Sequence, residues 1–163
     1  MFSFLKKQEI LTDNNLYSPI QGEFLDLEKV NDPVFSEKAM GDGFAIQPSG
    51  DELVVSPVAG EVTMVAGTKH AIGIHMPNGL DILLHLGLDT VNMSDSPFNI
   101  NIKVGSVVSA GQGLGTMNLE KINSAGFDTT VMVIITNMNI LKTLTTNDDR
   151  YQAGEKVGEV IVN

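Results

Sequence analysis

A six-residue motif that occurs twice places the strongest constraint on how this chain folds. Ser-Pro-Ile-Gln-Gly-Glu at residues 18–23 returns as Ser-Pro-Val-Ala-Gly-Glu at residues 56–61. A second pair, residues 104–111 and 151–158, joins a glycine turn to a valine-bearing strand in each copy. Because neither period continues along the chain, the repeats indicate one duplicated unit and not a long repeat array.

Short apolar runs separated by turn residues fill residues 17–163. Val, Ile, Leu and Phe make up these runs, and Gly, Pro, Asn and Asp stand between them. This pattern predicts an all-β fold, an antiparallel β-sandwich or barrel built from the duplicated unit. Residues 118–125 and 137–144 are expected to form short helical turns, the second with Asn137 as a cap. No linker interrupts the pattern, so residues 17–163 are expected to form one domain.

All three histidines of the chain lie in residues 68–90. Pro77, Asn78 and Gly79 separate two apolar runs there, and Asn-Gly between such runs is typical of a tight hairpin turn. The turn therefore decides which residues of the two strands face each other.

A turn centred on Asn78 and Gly79 pairs Ile72 with His85, which makes His70 a diagonal neighbour of His85 on one face. A turn centred one residue earlier places the two histidines directly opposite each other, and a three-residue loop breaks this pairing. His75 has the other parity and is expected on the opposite face. The stretch is interpreted as a two-histidine site, because two buried imidazoles need matched partners.

Two kinds of chemistry suit such a pair. Neutral imidazoles bind zinc, but a catalytic zinc needs a third protein ligand. No His-x-His or His-Glu-x-x-His pattern supplies one, which leaves Asp81, Asp89 or His75 as candidates. Alternatively, one neutral ring attacks a phosphoryl group while a protonated neighbour balances the oxygen charge. The residues alone leave both uses open.

Composition excludes several other classes of protein. A formal net charge of -10 argues against a nucleic-acid-binding protein, since no basic patch exists to neutralise phosphates. The absence of cysteine excludes disulfides and thiolate chemistry and fits a reducing cytoplasm. No apolar run approaches the ~20 residues of a membrane span. Neither a nucleophile elbow nor a phosphate-binding loop is present.

Longer motifs around the histidines resemble the glucose-type IIA domain of the bacterial phosphoenolpyruvate-dependent sugar phosphotransferase system. The Gly-Asp-Gly and His-x-Gly-x-Asp-Thr motifs, at this distance from each other, are highly specific for this family. The motifs that carry the resemblance are residues 18–23, 34–46, 57–60, 68–71, 84–91 and 136–138.

The resemblance implies an antiparallel β-sandwich that acts as a phosphotransferase component. Such domains accept a phosphoryl group from the histidine phosphocarrier protein HPr and pass it to a cysteine of a IIB domain. The resemblance implies that His85 is phosphorylated on Nε2, with its Nδ1 hydrogen held by the carbonyl of Gly87. His70 would then support the phosphoryl oxygens, with Thr68 hydrogen-bonded behind it.

The resemblance also implies residues around the histidines. Asp32 and Asp89 match acidic positions at the edge of the site. The family carries an apolar rim that seals against both partners, and the matching positions are Val34, Phe35, Met40, Leu83 and Val91, with a place in the core as the alternative for Phe35 and Met40. Pro33, Ala39 and Ala66 map to the same rim but are smaller or stiffer than the family's usual residues.

No cofactor is required by the phosphocarrier hypothesis. Some family members also regulate metabolic enzymes and permeases while unphosphorylated, in some cases with zinc between histidines, which makes His70 and His85 candidate regulatory zinc ligands. The sugar is set by the permease partner, whether it transports glucose, N-acetylglucosamine, maltose or β-glucosides. Two alternatives from other classes are a zinc-dependent peptidase on a related duplicated β fold and a biotin- or lipoyl-type carrier. The carrier is disfavoured because no lysine sits at a suitable hairpin tip.

Residues 1–16 differ in composition from the rest of the chain. The composition predicts a mobile tail, and contact of Phe2 and Leu5, beside Lys6 and Lys7, with an anionic membrane surface is a second interpretation. A frayed terminus or a tail docked on the domain is the alternative. The absence of cysteine and the resemblance together predict a cytoplasmic protein. If the tail binds the membrane, the protein is expected at the inner face of the cell membrane.

Overall fold

The structure is a computed structural model that describes residues 10–163, and antiparallel strands dominate it. Two α-helices and three 3-10 turns interrupt the strands of the described part. The strands are β1 (Asn15–Tyr17), β2 (Gly22–Leu25), β3 (Asp42–Pro48), β4 (Leu53–Val55), β5 (Gly60–Val65), β6 (Ala71–His75), β7 (Asp81–Leu88), β8 (Phe98–Ile100), β9 (Val107–Val108), β10 (Gly113–Met117), β11 (Asp128–Ile135), β12 (Leu141–Thr146), β13 (Arg150–Tyr151) and β14 (Lys156–Val162). The helices are α1 (Pro33–Ser36) and α2 (Leu119–Ser124), and the 3-10 turns are Leu27–Lys29, Thr90–Asn92 and Met138–Ile140.

Three sheets form the sandwich. The large sheet has the order β13-β2-β3-β11-β7-β6-β5-β9, and two smaller sheets have the orders β1-β14-β12 and β4-β10-β8. Fully buried side chains of the large sheet, such as Phe44, Ile72 and Leu84, share one core with Leu16 and Met117 of the smaller sheets. The all-β antiparallel sandwich predicted from the sequence is therefore confirmed.

The second face of the large sheet carries a smaller apolar cluster. Apart from Leu88, which follows the left-handed Gly87, its strand residues alternate with those of the main core, as the period of two requires. The loop between β2 and β3 covers them with the 3-10 turn Leu27–Lys29 and with α1. The buried members of this cluster, here called the site floor, are Leu27, Val30, Phe35, Ala45, Ala71, Leu83, Leu88, Met132 and Ile134.

The repeated motif has the same hydrogen bonds in both copies. The hydroxyl of Ser18 donates to the Ile20 carbonyl at 2.7 Å, and that of Ser56 donates to the Val58 carbonyl at 2.6 Å. Both serines are fully buried. The two copies also bond to each other, because the Tyr17 amide donates to Pro57 and the Val55 amide to Pro19. The duplication is therefore built around a local two-fold arrangement.

Residues 104–111 and 151–158, the second repeated pair, also make equivalent hydrogen bonds, but the equivalent residues are not the ones that match by position. The order of residues 104–111 and 151–158 aligns Gly111 with Gly158. The hydrogen bonds instead align Gly111 with Gly154, since the Gly111 amide donates to Ser56 and the Gly154 amide donates to Ser18, both at 2.8 Å. The glycine-valine pattern alone did not fix which glycine makes the turn.

The two expected helical turns differ in outcome. Residues 118–125 contain α2, and the Asn118 side chain caps it by accepting from the Lys121 amide at 2.9 Å. The expectation for residues 137–144 is wrong beyond Ile140, because Leu141 begins β12. The Asn137 side chain caps no helix; it accepts from the Asp81 amide and donates to the Gly79 carbonyl, which ties this turn to the β6–β7 hairpin.

The first strand of the sandwich begins before residue 17, the expected start of the domain. Strand β1 begins at Asn15, and Leu16 is fully buried. Residues 1–9, on which most of the amphipathic-tail expectation falls, lie outside the described residues. No helix among residues 10–163 has the length and apolar character to cross a membrane.

Replacing Ser56 by Ala tests the role of the repeated motif. The change leaves the buried Val58 carbonyl without its donor, which is expected to lower the free energy of unfolding by about 1–3 kcal/mol. Chemical denaturation measures this difference. Ser124→Ala, at the exposed end of α2, is the matched control and should stay within about 0.5 kcal/mol of wild type. Equal stability of the two variants would contradict this role.

Candidate functional site

The β6–β7 hairpin has a three-residue loop. The Met76 amide donates to the Leu80 carbonyl and the Gly79 amide to the Met76 carbonyl, both at 2.9 Å, so Pro77–Gly79 forms the loop. His85 consequently faces Ala71 and not Ile72. Both turns considered from the sequence are therefore wrong in register by one residue.

His70 nevertheless lies beside His85. Alternation from Ala71 would send His70 to the other face, but His70 precedes the strand. Lys69 has a φ of 64°, in the left-handed region, within a turn closed by its amide donating to the Ala66 carbonyl at 2.8 Å. This change of direction brings the ring centroids of His70 and His85 to 5.2 Å with an interplanar angle of 76°. The predicted pairing of the two histidines is observed, for a reason other than strand alternation.

His75 lies away from this pair. Its register places it on the same face as His85, so the expectation of the opposite face is wrong. It is the last residue of β6 and contacts the carboxylate of Asp81 through Nδ1 at 2.6 Å. His75 is therefore separated from the other two histidines by the length of β6, since His85 pairs with Ala71 at the other end of this strand.

One hydrogen bond fixes the tautomer of His85. Its Nδ1 lies 2.9 Å from the carbonyl oxygen of Gly87. A carbonyl only accepts, so Nδ1 carries the hydrogen and the neutral ring keeps its lone pair on Nε2. The imidazole is thus arranged as a nucleophile at Nε2.

The end of β7 curls to provide this carbonyl. Gly87 has a φ of 78° and Asp89 a φ of 59°, both in the left-handed region. The hydroxyl of buried Thr90 donates to the Leu86 carbonyl at 2.7 Å and holds the curl together. A Cβ on residue 87 would lie 2.4 Å from Cγ2 of Thr90, so the curl requires glycine. These contacts account for the His-x-Gly-x-Asp-Thr spacing.

His70 has its own hydrogen-bond partner. Its Nδ1 contacts the hydroxyl of Thr68, two residues earlier in the same turn. A hydroxyl both donates and accepts, so this contact orients the ring without fixing its tautomer. With Nδ1 occupied, Nε2 is the ring nitrogen of His70 left to contact a group bound at His85.

Burial keeps the pair uncharged. Burial is the largest cause that lowers the pKa of His85, and the neighbouring His70 lowers it further. Its hydrogen bond to Gly87 and the charges of Asp32 and Asp89 act in the other direction without reversing the shift. Burial also lowers the pKa of His70. Both rings are therefore neutral near pH 7, the state in which Nε2 of His85 is nucleophilic.

The two predicted acidic residues lie on either side of His85 in the chain. Asp32 caps α1, because its Oδ1 accepts from the Val34 amide at 2.9 Å. Asp89 is exposed and precedes the 3-10 turn Thr90–Asn92. Both are close enough to affect the pKa of His85, although the ring makes its hydrogen bond to Gly87 and not to either carboxylate within residues 10–163.

The predicted apolar rim divides into two groups. Val34, Met40 and Val91 are 47%, 38% and 47% exposed. Phe35 and Leu83 are buried in the site floor, and the Phe35 ring packs against His85 with centroids 4.9 Å apart. Pro33 and Ala39 are exposed and Ala66 is partly buried. The three exposed side chains, Val34, Met40 and Val91, are called the rim below.

Sequence reasoning missed most of the site floor. Met132 faces His85 across the β7–β11 pair and is fully buried, and Ala45 lies beyond it on β3. The apolar run of β11 identifies a buried strand, but which of its side chains lie beneath the histidines depends on the pairing of distant strands.

Metal coordination has little support in the described residues. Within residues 10–163 no group of three or more His, Cys, Asp or Glu side chains is placed to hold a metal ion. His70 and His85 form a pair without a third ligand from this part of the chain.

The pH dependence of the histidines is testable by NMR. Both imidazoles are expected to titrate below the ordinary value of about 6.5. The unfolded chain then binds protons at higher pH than the folded protein, so this contribution to stability is complete above about pH 6.5 and is lost as the pH falls. The free energy of unfolding should fall less on acidification in His85→Gln than in wild type. Titration of His85 above pH 7 would contradict the assignment.

Comparison with known proteins supports a family assignment. The family described as "phosphoenolpyruvate-dependent sugar phosphotransferase system, EIIA 1" matches residues 14–141. The glucose-specific EIIA component of Staphylococcus aureus (strain COL) is 40% identical over 162 residues, covering 98% of this chain and 97% of the relative. The glucose-specific EIICBA component of Streptococcus pneumoniae is 43% identical over 129 residues, covering 79% of this chain and 18% of that protein.

A solved structure has the same fold. Glucose permease IIA from Mycoplasma capricolum matches with a TM-score of 0.82 and 33% identity, covering 93% of this chain and 96% of the other. These comparisons give no support to the zinc-peptidase alternative. The protein is a phosphotransferase component, and its chain belongs to the EIIA 1 family of the phosphoenolpyruvate-dependent sugar phosphotransferase system.

Proposed function

We propose that this protein is a phosphocarrier in which Nε2 of His85 accepts a phosphoryl group from phosphorylated HPr and donates it to a cysteine of a IIB domain. The observation that carries the proposal is the 2.9 Å contact between Nδ1 of His85 and the Gly87 carbonyl. It leaves Nε2 as the free nucleophile of the neutral ring. Family membership supports the same chemistry.

The transfer conserves phosphate at each step. The lone pair on Nε2 of His85 forms a nitrogen–phosphorus bond while the bond from phosphorus to the phosphohistidine nitrogen of HPr breaks, and HPr keeps that electron pair. In the second step a cysteine thiolate of IIB forms a sulfur–phosphorus bond as the bond to Nε2 breaks. The transition state is loose, so positioning and charge stabilisation provide most of the catalysis.

His70 is proposed to stabilise the phosphoryl group. Its ring lies at the edge of the His85 ring, and its Nδ1 is held by Thr68. Proton uptake by His70 offsets the negative charge of the phosphoryl oxygens when the group arrives. The carboxylates of Asp32 and Asp89 lie close enough to affect the pKa of His85, and their charge favours release of the group to the next carrier.

The rim is proposed to contact both partners. Val34 and Val91 expose apolar side chains next in the chain to Phe35 and Thr90, and Met40 exposes its side chain between α1 and β3. A protein that alternates between two partners needs a surface that both can cover, because water admitted to the site during transfer would hydrolyse the phosphohistidine. Phe35 and Leu83 act from beneath by holding His85 in place.

Glucose is the proposed sugar, because the relatives are named glucose-specific. In the Streptococcus pneumoniae relative the name joins EIIA to EIIC and EIIB in one protein, which supports a IIB or IIBC permease component as partner. The proposed transfer uses no cofactor, since the reacting nitrogen and sulfur atoms come from the proteins. Its place is the cytoplasmic face of the membrane, where the permease receives the phosphoryl group.

Substitution of each histidine tests the proposed roles. His85→Ala is expected to abolish labelling by phosphorylated HPr, because the accepting nitrogen is gone. His70→Gln is expected to accept the label yet transfer it to a glucose-type IIB domain at least about 100-fold more slowly, since charge stabilisation in the transition state is lost. Radioactive phosphate followed from HPr to IIB measures both steps.

His75→Gln is the matched control for these variants. His75 lies at the far end of β6 from Ala71, and its substitution should leave both transfer steps unchanged. Histidine-linked label on His85→Ala protein would disprove the assignment of the phosphorylated residue.

A charge on the rim should weaken partner binding. Val91→Asp is expected to lower kcat/KM for phosphorylated HPr about tenfold, because the new carboxylate must be desolvated at the interface. Ile161→Asp adds the same charge at a site that is 53% exposed on β14, in a sheet on the other side of the core, and should have little effect. Equal losses in the two variants would argue against a rim contact.

A further inference from the structure

Strand β11 contains a β-bulge opposite the residue that holds His85. Val131 pairs with Leu86 and Asp128 pairs with Leu88, so Thr129 and Thr130 together face the single residue Gly87. Bulges of this kind re-aim side chains and backbone groups, and they are frequent beside active sites.

Regular pairing would give the Gly87 carbonyl a different partner. The Leu86 amide donates to the His70 carbonyl at 2.7 Å, on the β6 side of β7. Backbone groups alternate in direction along a strand, so in a regular strand those of Gly87 would point towards β11. Continuing the register from Val131 and Leu86 places the Thr130 amide opposite the Gly87 carbonyl. The bulge interrupts the pairing of Thr130 with Gly87, so the Thr130 amide needs another acceptor.

The side chain of Asp128 satisfies the Thr130 amide instead. Its Oδ1 accepts from the Thr130 amide at 2.8 Å and from the Thr130 hydroxyl at 2.6 Å. Gln47 on β3 supports the arrangement by donating from Nε2 to the Thr129 hydroxyl at 2.9 Å. Thr129 and Thr130 are 5% and 2% exposed, so their polar groups need partners within the protein.

We propose that Asp128 is a positioning residue: by binding the Thr130 amide, its carboxylate keeps the Gly87 carbonyl available to the Nδ1 hydrogen of His85. The proposal rests on the proposed function of His85 as the phosphorylated residue. The effect of Asp128 on the tautomer of His85 can be measured in unphosphorylated protein. This test is therefore independent of whether His85 is the phosphorylated residue.

Removing the carboxylate should release the Thr130 amide to the Gly87 carbonyl, its partner in the regular register. In Asp128→Ala a larger fraction of His85 is expected to carry its hydrogen on Nε2, seen as a change in the imidazole nitrogen shifts of ¹⁵N-histidine-labelled protein above pH 7. Phosphoryl acceptance from HPr should slow by about tenfold, since fewer molecules present a free Nε2. Asp128→Asn keeps an accepting oxygen at the same place and should restore both properties.

Asp51→Ala is the matched control for the lost turn contact. Asp51 Oδ1 accepts from the Leu53 amide at 3.1 Å, the same spacing of two residues, on an exposed loop that precedes β4. This variant should show the wild-type tautomer and wild-type acceptance. If Asp128→Ala keeps the wild-type tautomer, or if Asp128→Asn is as impaired as Asp128→Ala, the proposal is overturned.

A measurement on the wild-type protein covers the case in which Asp128→Ala does not fold. The Thr130 amide nitrogen should show a through-hydrogen-bond coupling to the side-chain carboxyl carbon of Asp128. A coupling to the backbone carbonyl carbon of Gly87 in its place would overturn the proposal without any substitution.

Discussion

The hydrogen bond from Nδ1 of His85 to the carbonyl of Gly87 is the contact on which the site depends. It decides which nitrogen of a neutral imidazole is nucleophilic, because the carbonyl accepts only from a protonated nitrogen. Without it both tautomers would be populated, and in the proposed transfer the phosphoryl group would meet either nitrogen. The curl at the end of β7 places this carbonyl back towards the ring, and it uses two left-handed residues, Gly87 and Asp89, to do so.

The rest of the fold supplies the environment in which that nitrogen works. The site floor buries one side of His85, with Phe35 packed against the ring, and burial holds the pKa of the imidazole below its ordinary value. The charges of Asp32 and Asp89 counteract this only in part, so the ring is neutral near pH 7. A group that must both accept and release phosphate needs such a balance. Under the proposed function the two histidines have different roles: the ring of His85 would hold the phosphoryl group, and the ring of His70 would respond to its charge.

Much of this was readable from the sequence, and the exceptions have physical causes. The sandwich and the duplication follow from short apolar runs and repeated motifs, which are local properties. The neighbouring positions of His70 and His85 were predicted correctly but from the wrong register, because neither period nor composition reveals a left-handed lysine at position 69. Phe35 and Leu83 match the apolar rim and are buried, as the core alternative for Phe35 allowed, since their environment is made by α1 and by distant strands. The bulge at Thr129 and Thr130 was missed because a bulge is a property of a strand pair and not of one strand.

The most direct measurement is the position of phosphorus on the imidazole of His85. Protein labelled with ¹⁵N at histidine and phosphorylated by HPr should show a phosphorus–nitrogen coupling to Nε2 of His85, with the hydrogen retained on Nδ1. Phosphorus bonded to Nδ1 of His85, or to either nitrogen of His70, would contradict the role assigned to the Gly87 carbonyl.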